Sequence, residues 1–154
     1  MSVAPFVQTP LEVAKKMLEL SQIRPDETLY DLGCGDGRLI ILAAKDVGAK
    51  AIGIELRDDL IERAKTEIKR LNLESRVKIV QGNFFDFNIS DANVVTLYLT
   101  SSANERLRPK MEEELKRGAR VVSHDFKILG WKPDMVYDEL LGHTIYRYRI
   151  GDQL

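Results

Sequence analysis

Short continuous apolar runs alternate along the chain with segments whose apolar residues recur every three or four positions. The first kind of segment predicts buried strands, and the second predicts helices that place one face against a core. Five segments are of the first kind: TLYDL, AKAIGIE, RVKIVQG, ANVVTLYL and ARVVSHDF. Because strands that alternate with helices form parallel sheets covered on both faces, the pattern predicts an α/β fold.

The first predicted helix begins at TPLE, where Thr9 suits the N-cap, Pro10 the first helical position and Glu12 the capping box. Pro25 marks its end. The face that we expect to be buried comprises Leu11, Ala14, Met17, Leu18 and Ser21. Two further helices are predicted, one after the glycine-rich segment YDLGCGDGR and one from Asp58 onward.

The fourth predicted helix lies in SSANERLRPKMEEELKRG, with Ser102 and Glu105 as a capping box and Gly118 as its end. Pro109 interrupts the segment. Because proline cannot donate the helical hydrogen bond, the helix either kinks there or begins near Arg108. The pattern leaves both alternatives open.

The last two apolar segments, MVYDEL and HTIYRYRIG, are predicted to pair with each other. The second alternates two sets of residues, Ile145, Arg147 and Arg149 against Tyr146, Tyr148 and Ile150. This alternation is typical of a half-buried antiparallel strand. The sheet is therefore expected to have an antiparallel end.

Composition limits the possible classes of function. The 154 residues, 44% of them hydrophobic, suffice for the core of one domain, residues 1–154. Lys and Arg number 23 against 24 Asp and Glu, so the strong positive field of a nucleic-acid-binding protein is missing. The chain has one cysteine, no apolar segment of membrane-spanning length and no secretory signal at its N-terminus. We expect a cytoplasmic protein without a membrane or stable nucleic-acid partner.

Three glycines at every second position follow the first predicted strand. Gly33 and Gly35 match the first and third positions of the dinucleotide fingerprint, but Arg38 stands where its sixth glycine would be. No Gly-Lys-Ser/Thr sequence follows, which excludes a phosphate loop. Ligands of parallel sheets bind beyond the carboxyl ends of the strands, so we expect a binding site at this turn.

Two acidic residues indicate what the turn binds. Glu55 ends the second predicted strand, where a carboxylate can accept hydrogen bonds from a ribose diol. Asp31 precedes the glycines, where it would repel a pyrophosphate but attract an ammonium group. A tight turn without a ligand is the alternative. The two acids favour a nucleoside joined to a cationic group.

The segments YDLGCGDGR, GIEL and GNFFDF resemble the first three cofactor motifs of class I S-adenosylmethionine-dependent methyltransferases. More narrowly, PFVQTP, VVTLYLTSSANERLRPKMEEELKRGARVVSHDF and the following GW resemble small archaeal protein lysine methyltransferases of broad substrate range and their mitochondrial relatives. The resemblance covers nearly the whole chain. It implies a single domain with a seven-stranded, doubly wound Rossmann-like sheet, mostly parallel with an antiparallel last strand, and residues 1–8 on the substrate side.

The resemblance also implies a cofactor, S-adenosyl-L-methionine, and a set of residues that bind it: Thr9, Asp31, Gly33, Gly35, Gly37, Glu55, Leu56, Asn83 and Phe84. The glycines let the methionine part pass close to the backbone. By this resemblance, Asp31 would lie near the ammonium, Glu55 would hold the ribose hydroxyls and Asn83 would accept from the adenine amino group. Leu56 and Phe84 would lie at the adenine, and Thr9 would reach the methionine carboxylate.

In such an enzyme the fourth strand ends beside the first, and residues after it border the reacting centre. The catalytic candidates are Tyr98, Thr100, Ser101 and Asn104. The candidates for the substrate channel are Phe6, Ser102 and Trp131. Ordinary packing is the alternative for the aromatic residues among them.

His124 and Asp125 are neighbours on the fifth predicted strand, so their side chains should point to opposite faces. His143 lies in the closing pair of strands, without metal-ligand spacing to other residues. We therefore expect no metal site. Cys34 is interpreted as a small filler between glycines rather than a nucleophile.

The leading functional hypothesis is an archaeal-type protein lysine methyltransferase with a permissive acceptor site, acting as a monomer on proteins that present lysines. The first alternative is a methyltransferase acting on RNA or a small metabolite. The second is a module that binds S-adenosylmethionine without catalysis.

Overall fold

A computed structural model describes residues 7–153 of the chain. Its four α-helices are α1 Leu11–Ser21, α2 Arg38–Leu42, α3 Asp58–Arg70 and α4 Ser101–Glu114. Its seven strands are β1 Thr28–Leu32, β2 Lys50–Glu55, β3 Val77–Gln81, β4 Val94–Leu97, β5 Arg120–His124, β6 Met135–Leu140 and β7 His143–Arg149. A π-helical turn, Ala43–Val47, prolongs α2, and a 3-10 turn spans Phe84–Asp86.

The strands form one sheet in the order β3-β2-β1-β4-β5-β7-β6. Pairing is parallel from β3 through to β5, and β7 runs antiparallel to both of its neighbours. This confirms the predicted seven-stranded α/β sheet with an antiparallel last strand. Among residues 7–153, none of the helices combines the length and apolarity that crossing a bilayer requires.

Two clusters of buried side chains pack on the sheet, and neighbouring residues of one strand contribute to different clusters. Val94 of β4 belongs to the cluster that contains α1 and α2, and Val95 belongs to the cluster that contains α4. Successive strand residues point to opposite faces, so a continuous apolar run is what a strand covered on both sides requires.

Helix α1 begins differently from the prediction. Pro10, not Thr9, occupies the cap position, and the Thr9 hydroxyl instead lies 3.4 Å from Nδ1 of His124. Leu11, expected on the buried face, is 50% exposed, whereas Val13 is fully buried. The capping rule uses local spacing alone, and here a partner 115 residues away takes the Thr9 side chain.

Helix α4 runs without interruption through Pro109, which resolves the two alternatives that the sequence left open. Its cap is Thr100, whose side chain accepts from the backbone N–H of Ala103, so the Ser102–Glu105 capping box is wrong. The helix ends at Glu114, before the predicted stop at Gly118. Tertiary packing of the buried α4 face keeps the segment helical despite the donor lost at proline.

Strand β7 is antiparallel as predicted, but it is covered on both faces, so the prediction that it is half-buried is wrong. Ile145 and Tyr148, on opposite faces, are fully buried, and Arg147 is only 9% exposed. The Arg147 guanidinium is accommodated because Nε donates to Asp134 at 2.9 Å and Nη1 donates to the Leu20 carbonyl at 2.9 Å. The alternation of charged and apolar residues in the sequence predicts that the charged face is exposed. A charged side chain can nevertheless be buried when it is paired and hydrogen-bonded, as Arg147 is here.

A second buried cation joins the start of β5 to the segment before β1. Arg120 donates to both carboxylate oxygens of Glu27, at 2.7 and 3.2 Å, and to the carbonyls of Ser21 and Gln22 at 2.9 and 3.1 Å. The hydrogen bond from Arg120 holds the pKa of Glu27 below its usual value, although burial acts in the opposite direction. The pair therefore stabilises the fold above the unfolded carboxyl pKa, and this contribution is lost as pH falls through the folded pKa.

We expect Arg120→Met to lower the free energy of unfolding by about 3–5 kcal/mol, because it leaves the Glu27 carboxylate buried without its main partner. Urea denaturation at neutral pH measures this change. Arg24→Met is the matched control, since Arg24 contacts the same carboxylate at 3.3 Å but its side chain is 71% exposed. The control should cost less than about 1 kcal/mol. An equal decrease in the free energy of unfolding in the two variants would contradict the prediction that the buried pair contributes more than the exposed one.

Candidate functional site

A cleft opens at the carboxyl ends of β1, β2 and β4, the edge at which the glycine turn was predicted to bind a ligand. It is lined by Val7, Gln8, Thr9, Met17, Asp31, Gly33, Cys34, Gly35, Asp36, Arg38, Leu39, Ile54, Glu55, Leu56, Arg57, Phe84, Leu97, Tyr98 and Leu99. The order of the strands reverses between β1 and β4. A cleft at this point is where open parallel sheets bind their ligands.

The backbone of the glycine turn is left-handed at each of its three glycines, with φ of 80° at Gly33, 58° at Gly35 and 84° at Gly37. Gly37 starts α2, and a Cβ atom there would lie 3.0 Å from the Cβ of Ala64. Residues with side chains rarely adopt this conformation, so the alternating glycines follow from the path of the chain. Gly37 holds the turn against α3 from outside the lining of the cleft.

Three backbone amides converge on the carboxylate of Glu55. Oε1 accepts from the Gly35 N–H at 2.8 Å, and Oε2 accepts from the Leu56 and Arg57 N–H groups at 3.0 and 3.1 Å. One anion therefore fixes the glycine turn relative to the end of β2. A carboxylate has about four acceptor sites, so Glu55 retains one, on Oε1, for a ligand hydroxyl.

Asp31 brings a second carboxylate into the cleft, at the end of β1. It is 8% exposed, and Oδ1 accepts from the Thr96 hydroxyl at 2.9 Å. Burial raises the pKa of Asp31 to about 7, the negative charge of Glu55 adds to this, and the Thr96 hydrogen bond opposes it. A buried carboxylate without a cation is costly, so the position favours a positively charged ligand group.

Arg38 and Asp36 are residues of the cleft that the sequence reasoning did not select. Arg38 Nη2 donates to Asp36 Oδ2 at 2.8 Å, and Nη1 donates to the carbonyl of Thr9 at 3.1 Å. The guanidinium thereby ties the segment before α1 to the glycine turn. The sequence did contain a signal for this contact. Arg38 replaces the third glycine of the dinucleotide fingerprint, and a guanidinium at that position needs hydrogen-bond acceptors that a glycine does not.

The remaining predicted cofactor residues divide into two groups. Leu56 and Phe84 line the cleft, and Phe84 is 4% exposed with its ring centroid 4.8 Å from that of Phe85. Asn83 is not among the described residues of the lining, and its side chain accepts from the Phe85 N–H at 3.0 Å. Asn83 therefore shapes the 3-10 turn that presents Phe84.

At the other end of the cleft, Tyr98 stacks on His124, with ring centroids 3.8 Å apart and planes at 30°. Phe126 lies further along the same face, with its ring centroid 6.5 Å from that of Tyr98. Burial raises the pKa of Tyr98, and the charge of Asp125 adds to the effect. The Tyr98 phenol is therefore protonated at neutral pH, and the residue is part of the cleft lining.

The other residues predicted after β4 lie outside the lining of the described cleft. Thr100 caps α4, and Ser101 and Ser102 are exposed on its first turn. Asn104 is fully buried and donates to the carbonyls of Phe126 and Lys127 at 3.1 and 3.3 Å. These contacts give Thr100 and Asn104 structural tasks, and the catalytic roles remain predictions.

Two aromatic residues were predicted to form channel walls. Trp131 is 7% exposed, and its indole N–H donates to Glu112 at 2.8 Å while its ring packs 5.7 Å from that of Tyr148. These contacts agree with the alternative that Trp131 packs in the core, and Trp131 is not part of the described cleft lining. Phe6 lies outside the described residues.

The histidines overturn a geometric expectation. His124 Nε2 lies 2.8 Å from His143 Nδ1, and Asp125 Oδ2 lies 3.4 and 3.2 Å from these two nitrogens. Asp125 follows β5 with φ of 65°, so the rule of alternating faces does not apply to it. His143 is brought in by the antiparallel pairing of β5 with β7, which local spacing could not indicate. Burial lowers the pKa of His124, against the effect of Asp125.

Cys34 agrees with the interpretation as a small filler. It is 6% exposed, and burial raises the pKa of its thiol well above the usual value. A Cβ atom on Gly53 of β2 would lie 2.5 Å from the Cys34 sulfur, so the two residues pack in close contact. A neutral, buried thiol is a poor nucleophile.

Comparison with known proteins finds methyltransferases by sequence and by structure. The model of the family described as ANTKMT methyltransferase domain matches residues 31–135. A protein-lysine N-methyltransferase of Saccharolobus islandicus (strain REY15A) is 49% identical over 152 residues, 96% of this chain and 94% of that protein. The adenine nucleotide translocase lysine N-methyltransferase of Mus musculus is 33% identical over 88% of this chain, which spans 58% of the mouse protein.

Among solved structures, an RNA methyltransferase from Salinibacter ruber in complex with S-adenosyl-L-homocysteine is similar at 44% identity. The similarity covers 96% of each chain with a TM-score of 0.93. Two proteins that each match nearly the whole chain are thus described with different acceptors, a protein and an RNA. The solved complex contains S-adenosyl-L-homocysteine, which is what remains of S-adenosylmethionine after methyl transfer. The similarity therefore supports S-adenosylmethionine as the cofactor.

We expect Glu55→Gln to weaken S-adenosylhomocysteine binding by about tenfold or more, because a neutral amide accepts a hydroxyl hydrogen bond less strongly than a carboxylate does. Isothermal titration calorimetry measures the affinity. Glu62→Gln, an exposed change on α3, is the matched control and should bind normally. Unchanged affinity in Glu55→Gln would remove the carboxylate from the cofactor site.

Affinity for S-adenosylhomocysteine should also depend on pH. Asp31, with its pKa near 7, must be ionised to pair with the ligand ammonium. Affinity should therefore rise about tenfold between roughly pH 6 and pH 8, with protons released on binding. Calorimetry in buffers of different ionisation enthalpy measures the release.

Asp31→Asn should bind weakly at every pH and release no proton. Asp138→Asn, at an exposed position on β6, should retain the pH dependence of the unmodified protein. A flat pH profile in the unmodified protein would refute the pairing.

Proposed function

The chain belongs to the ANTKMT methyltransferase domain family and is an S-adenosylmethionine-dependent methyltransferase, and from this premise we propose that it methylates the side-chain amine of lysine in proteins, with a broad substrate range. The observation that carries the acceptor class is the 49% identity to the Saccharolobus islandicus protein-lysine N-methyltransferase over 94% of that relative. A whole-length likeness bears more on the acceptor than a glycine motif does, because such motifs serve many chemistries.

The residues of the cleft fit a cationic nucleoside cofactor. Asp31 is a buried carboxylate to which a ligand ammonium would supply the missing positive charge. Glu55 is already oriented by three amides, and its remaining acceptor site, on Oε1, can take a hydrogen bond from a ribose hydroxyl. Leu56 and Phe84 provide apolar surface for the adenine, and Thr9 lies within the same cleft for the methionine carboxylate.

When bound, S-adenosylmethionine supplies an electrophilic methyl group. The task of the protein is to hold a neutral amine in line with that group and to exclude water. A lysine amine has a pKa of about 10.4 in water, so it must lose a proton before it reacts. Burial against the Tyr98 ring favours the neutral amine, since desolvation penalises the charged form. The Tyr98 oxygen can then accept a hydrogen bond from the amine and orient its lone pair.

Residues around Tyr98 act as positioning residues in this proposal. Asn104 holds the carbonyls of Phe126 and Lys127, and the Phe126 ring lies beside Tyr98. Thr100 fixes the start of α4 just after β4. Ser101 and Ser102 are exposed on the first turn and are available to the protein substrate. Loss of Asn104 would therefore act on Tyr98 through the segment that follows β5.

We further propose that residues 1–154 act as one domain and as a monomer in the cytoplasm, an archaeal-type member of the family with residues 1–8 on the substrate side. Protein substrates would approach the open side of the cleft. The formal net charge of −1 offers little attraction for a phosphate backbone or an anionic membrane.

RNA is the second candidate acceptor, because the similar Salinibacter ruber structure is that of an RNA methyltransferase. The charge balance of 23 basic and 24 acidic residues does not favour it. A small metabolite is the remaining alternative. An experiment must therefore decide whether the methyl group goes to protein, to RNA or to a small metabolite.

We expect a tritium-labelled methyl group from S-adenosylmethionine to enter lysine in several proteins of a cell extract, with little label in total RNA from the same cells. Acid hydrolysis and chromatography identify methylated lysine, and intact-mass analysis gives the number of methyl groups. Label confined to RNA or to small metabolites would refute the proposal. Cofactor binding without transfer to any pool would indicate a non-catalytic module.

Tyr98→Phe and Tyr148→Phe form a matched pair for the same assay, because each removes one phenolic oxygen. Tyr98 lines the cleft, whereas the Tyr148 hydroxyl accepts from the Ile128 N–H at 2.9 Å in the core. If Tyr98 orients the amine, its variant should lower kcat at least about tenfold without changing cofactor affinity. The Tyr148 variant should lower stability and leave the kcat of the folded fraction unchanged.

A further inference from the structure

The side chains of His124, Asp125 and His143 converge beside the Tyr98 ring, and none of the three is part of the lining of the described cleft. Among residues 7–153, this is the one group of three or more histidine, cysteine or acidic side chains whose ligand atoms could hold a metal ion together. The chain contains two histidines, and both are in this cluster. The methyl-transfer proposal assigns no task to it.

The contacts within the cluster cannot all be hydrogen bonds. The three facing atoms lie 2.8, 3.2 and 3.4 Å apart in pairs. Each imidazole nitrogen carries in its ring plane either one hydrogen or one lone pair, and an ionised carboxylate only accepts. With Asp125 ionised, every assignment of the imidazole protons therefore sets two lone pairs or two N–H groups against each other in at least one of the three contacts. A cation between the three atoms removes the conflict.

The distances and orientations match those of a metal site. Bonds of about 2.0–2.2 Å to a tetrahedral ion place neighbouring ligand atoms about 3.3 Å apart. Two of the observed distances are close to this value, and the nitrogen pair would open by about half an ångström. The histidine ring centroids lie 4.8 Å apart, further than the facing nitrogens, so the rings meet through their nitrogen edges.

Each of two ligands is oriented by a further contact through its second polar atom. His124 Nδ1 lies 3.4 Å from the Thr9 hydroxyl, which leaves Nε2 to face the cluster. Asp125 Oδ1 accepts from the Thr144 N–H at 3.0 Å, which leaves Oδ2 for the same purpose. Outer contacts of this kind fix the tautomer and direction of metal ligands.

The backbone at Asp125 supports the same conclusion. Its φ of 65° is uncommon for a residue with a side chain, although aspartate tolerates it better than most. The Asp125 N–H donates to the Thr144 carbonyl at 2.7 Å, so the residue is bonded to β7 through both backbone and side chain. Such strain persists where the surroundings hold the residue in place.

We propose that His124 Nε2, His143 Nδ1 and Asp125 Oδ2 bind a divalent transition-metal ion of the Zn²⁺ class, with a fourth coordination position open. Two imidazoles and one carboxylate suit zinc and its neighbours better than magnesium or calcium, which prefer oxygen ligands alone. The ion joins the end of β5 to the start of β7. Through the His124 ring it also fixes the surface on which Tyr98 stacks. The proposal does not depend on whether the acceptor is a protein or RNA.

The test uses the full chain without a polyhistidine tag, dialysed against a chelator and then titrated with ZnCl2 or CoCl2. We expect about one Zn²⁺ per chain by calorimetry, and Co²⁺ should give the intense visible absorption of a tetrahedral site. Zn²⁺ should also raise the melting temperature. No saturable binding of either ion would overturn the proposal.

Two variants test the ligands independently. His143→Ala and Asp125→Asn each remove one ligand from a partly exposed position, so neither opens a cavity in the core. Each should weaken Zn²⁺ binding at least tenfold, abolish the cobalt spectrum and remove the rise in melting temperature. Glu139→Gln, exposed on the neighbouring β6, is the control and should behave as the unmodified protein. Zn²⁺ binding that persists unchanged in folded His143→Ala would refute the site.

Discussion

The glycine turn can lie on the sheet because β2 carries no side chain at Gly53. A Cβ atom at that position would lie 2.5 Å from the Cys34 sulfur and 2.8 Å from Cδ1 of Ile40. Both the turn and the first residues of α2 would have to move outward to make room. The Gly35 N–H of the turn would then lose its acceptor, Glu55, which stands two residues further along the same strand. The cleft therefore depends on one close approach between main chain and side chain.

A buried carboxylate lies near each end of β1, and only one of the two is paired with a cation. Just before its beginning, Glu27 is paired with Arg120 through two hydrogen bonds, so its negative charge is neutralised without a ligand. At its end, Asp31 has the neutral Thr96 hydroxyl as its side-chain partner and an elevated pKa. An incompletely compensated carboxylate costs stability, and such groups are found where a ligand completes them. The strand thus separates the stabilising end of the sheet from the binding end.

The contacts at Thr9 and Tyr98 connect parts of the molecule that the sequence separates widely. Thr9 lies in the cleft, its carbonyl accepts from Arg38 and its hydroxyl faces His124. His124 in turn supports Tyr98. The segment before α1, the glycine turn and the end of β5 are therefore coupled through side chains, so a change at the histidine cluster would be expected to reach the acceptor side.

The sequence alone determined the strands, the seven-stranded sheet implied by the family resemblance, the position of the cleft and the two acids that flank the glycine turn. These features depend on apolar periodicity and on residues within a few positions of one another, which are legible in one dimension. Tertiary structure alone decided that Thr9 faces His124, that Arg147 is buried, that Trp131 packs in the core and that His143 meets Asp125. Each of these contacts joins residues on different elements, and its energy depends on burial and on partners brought together only when the sheet forms.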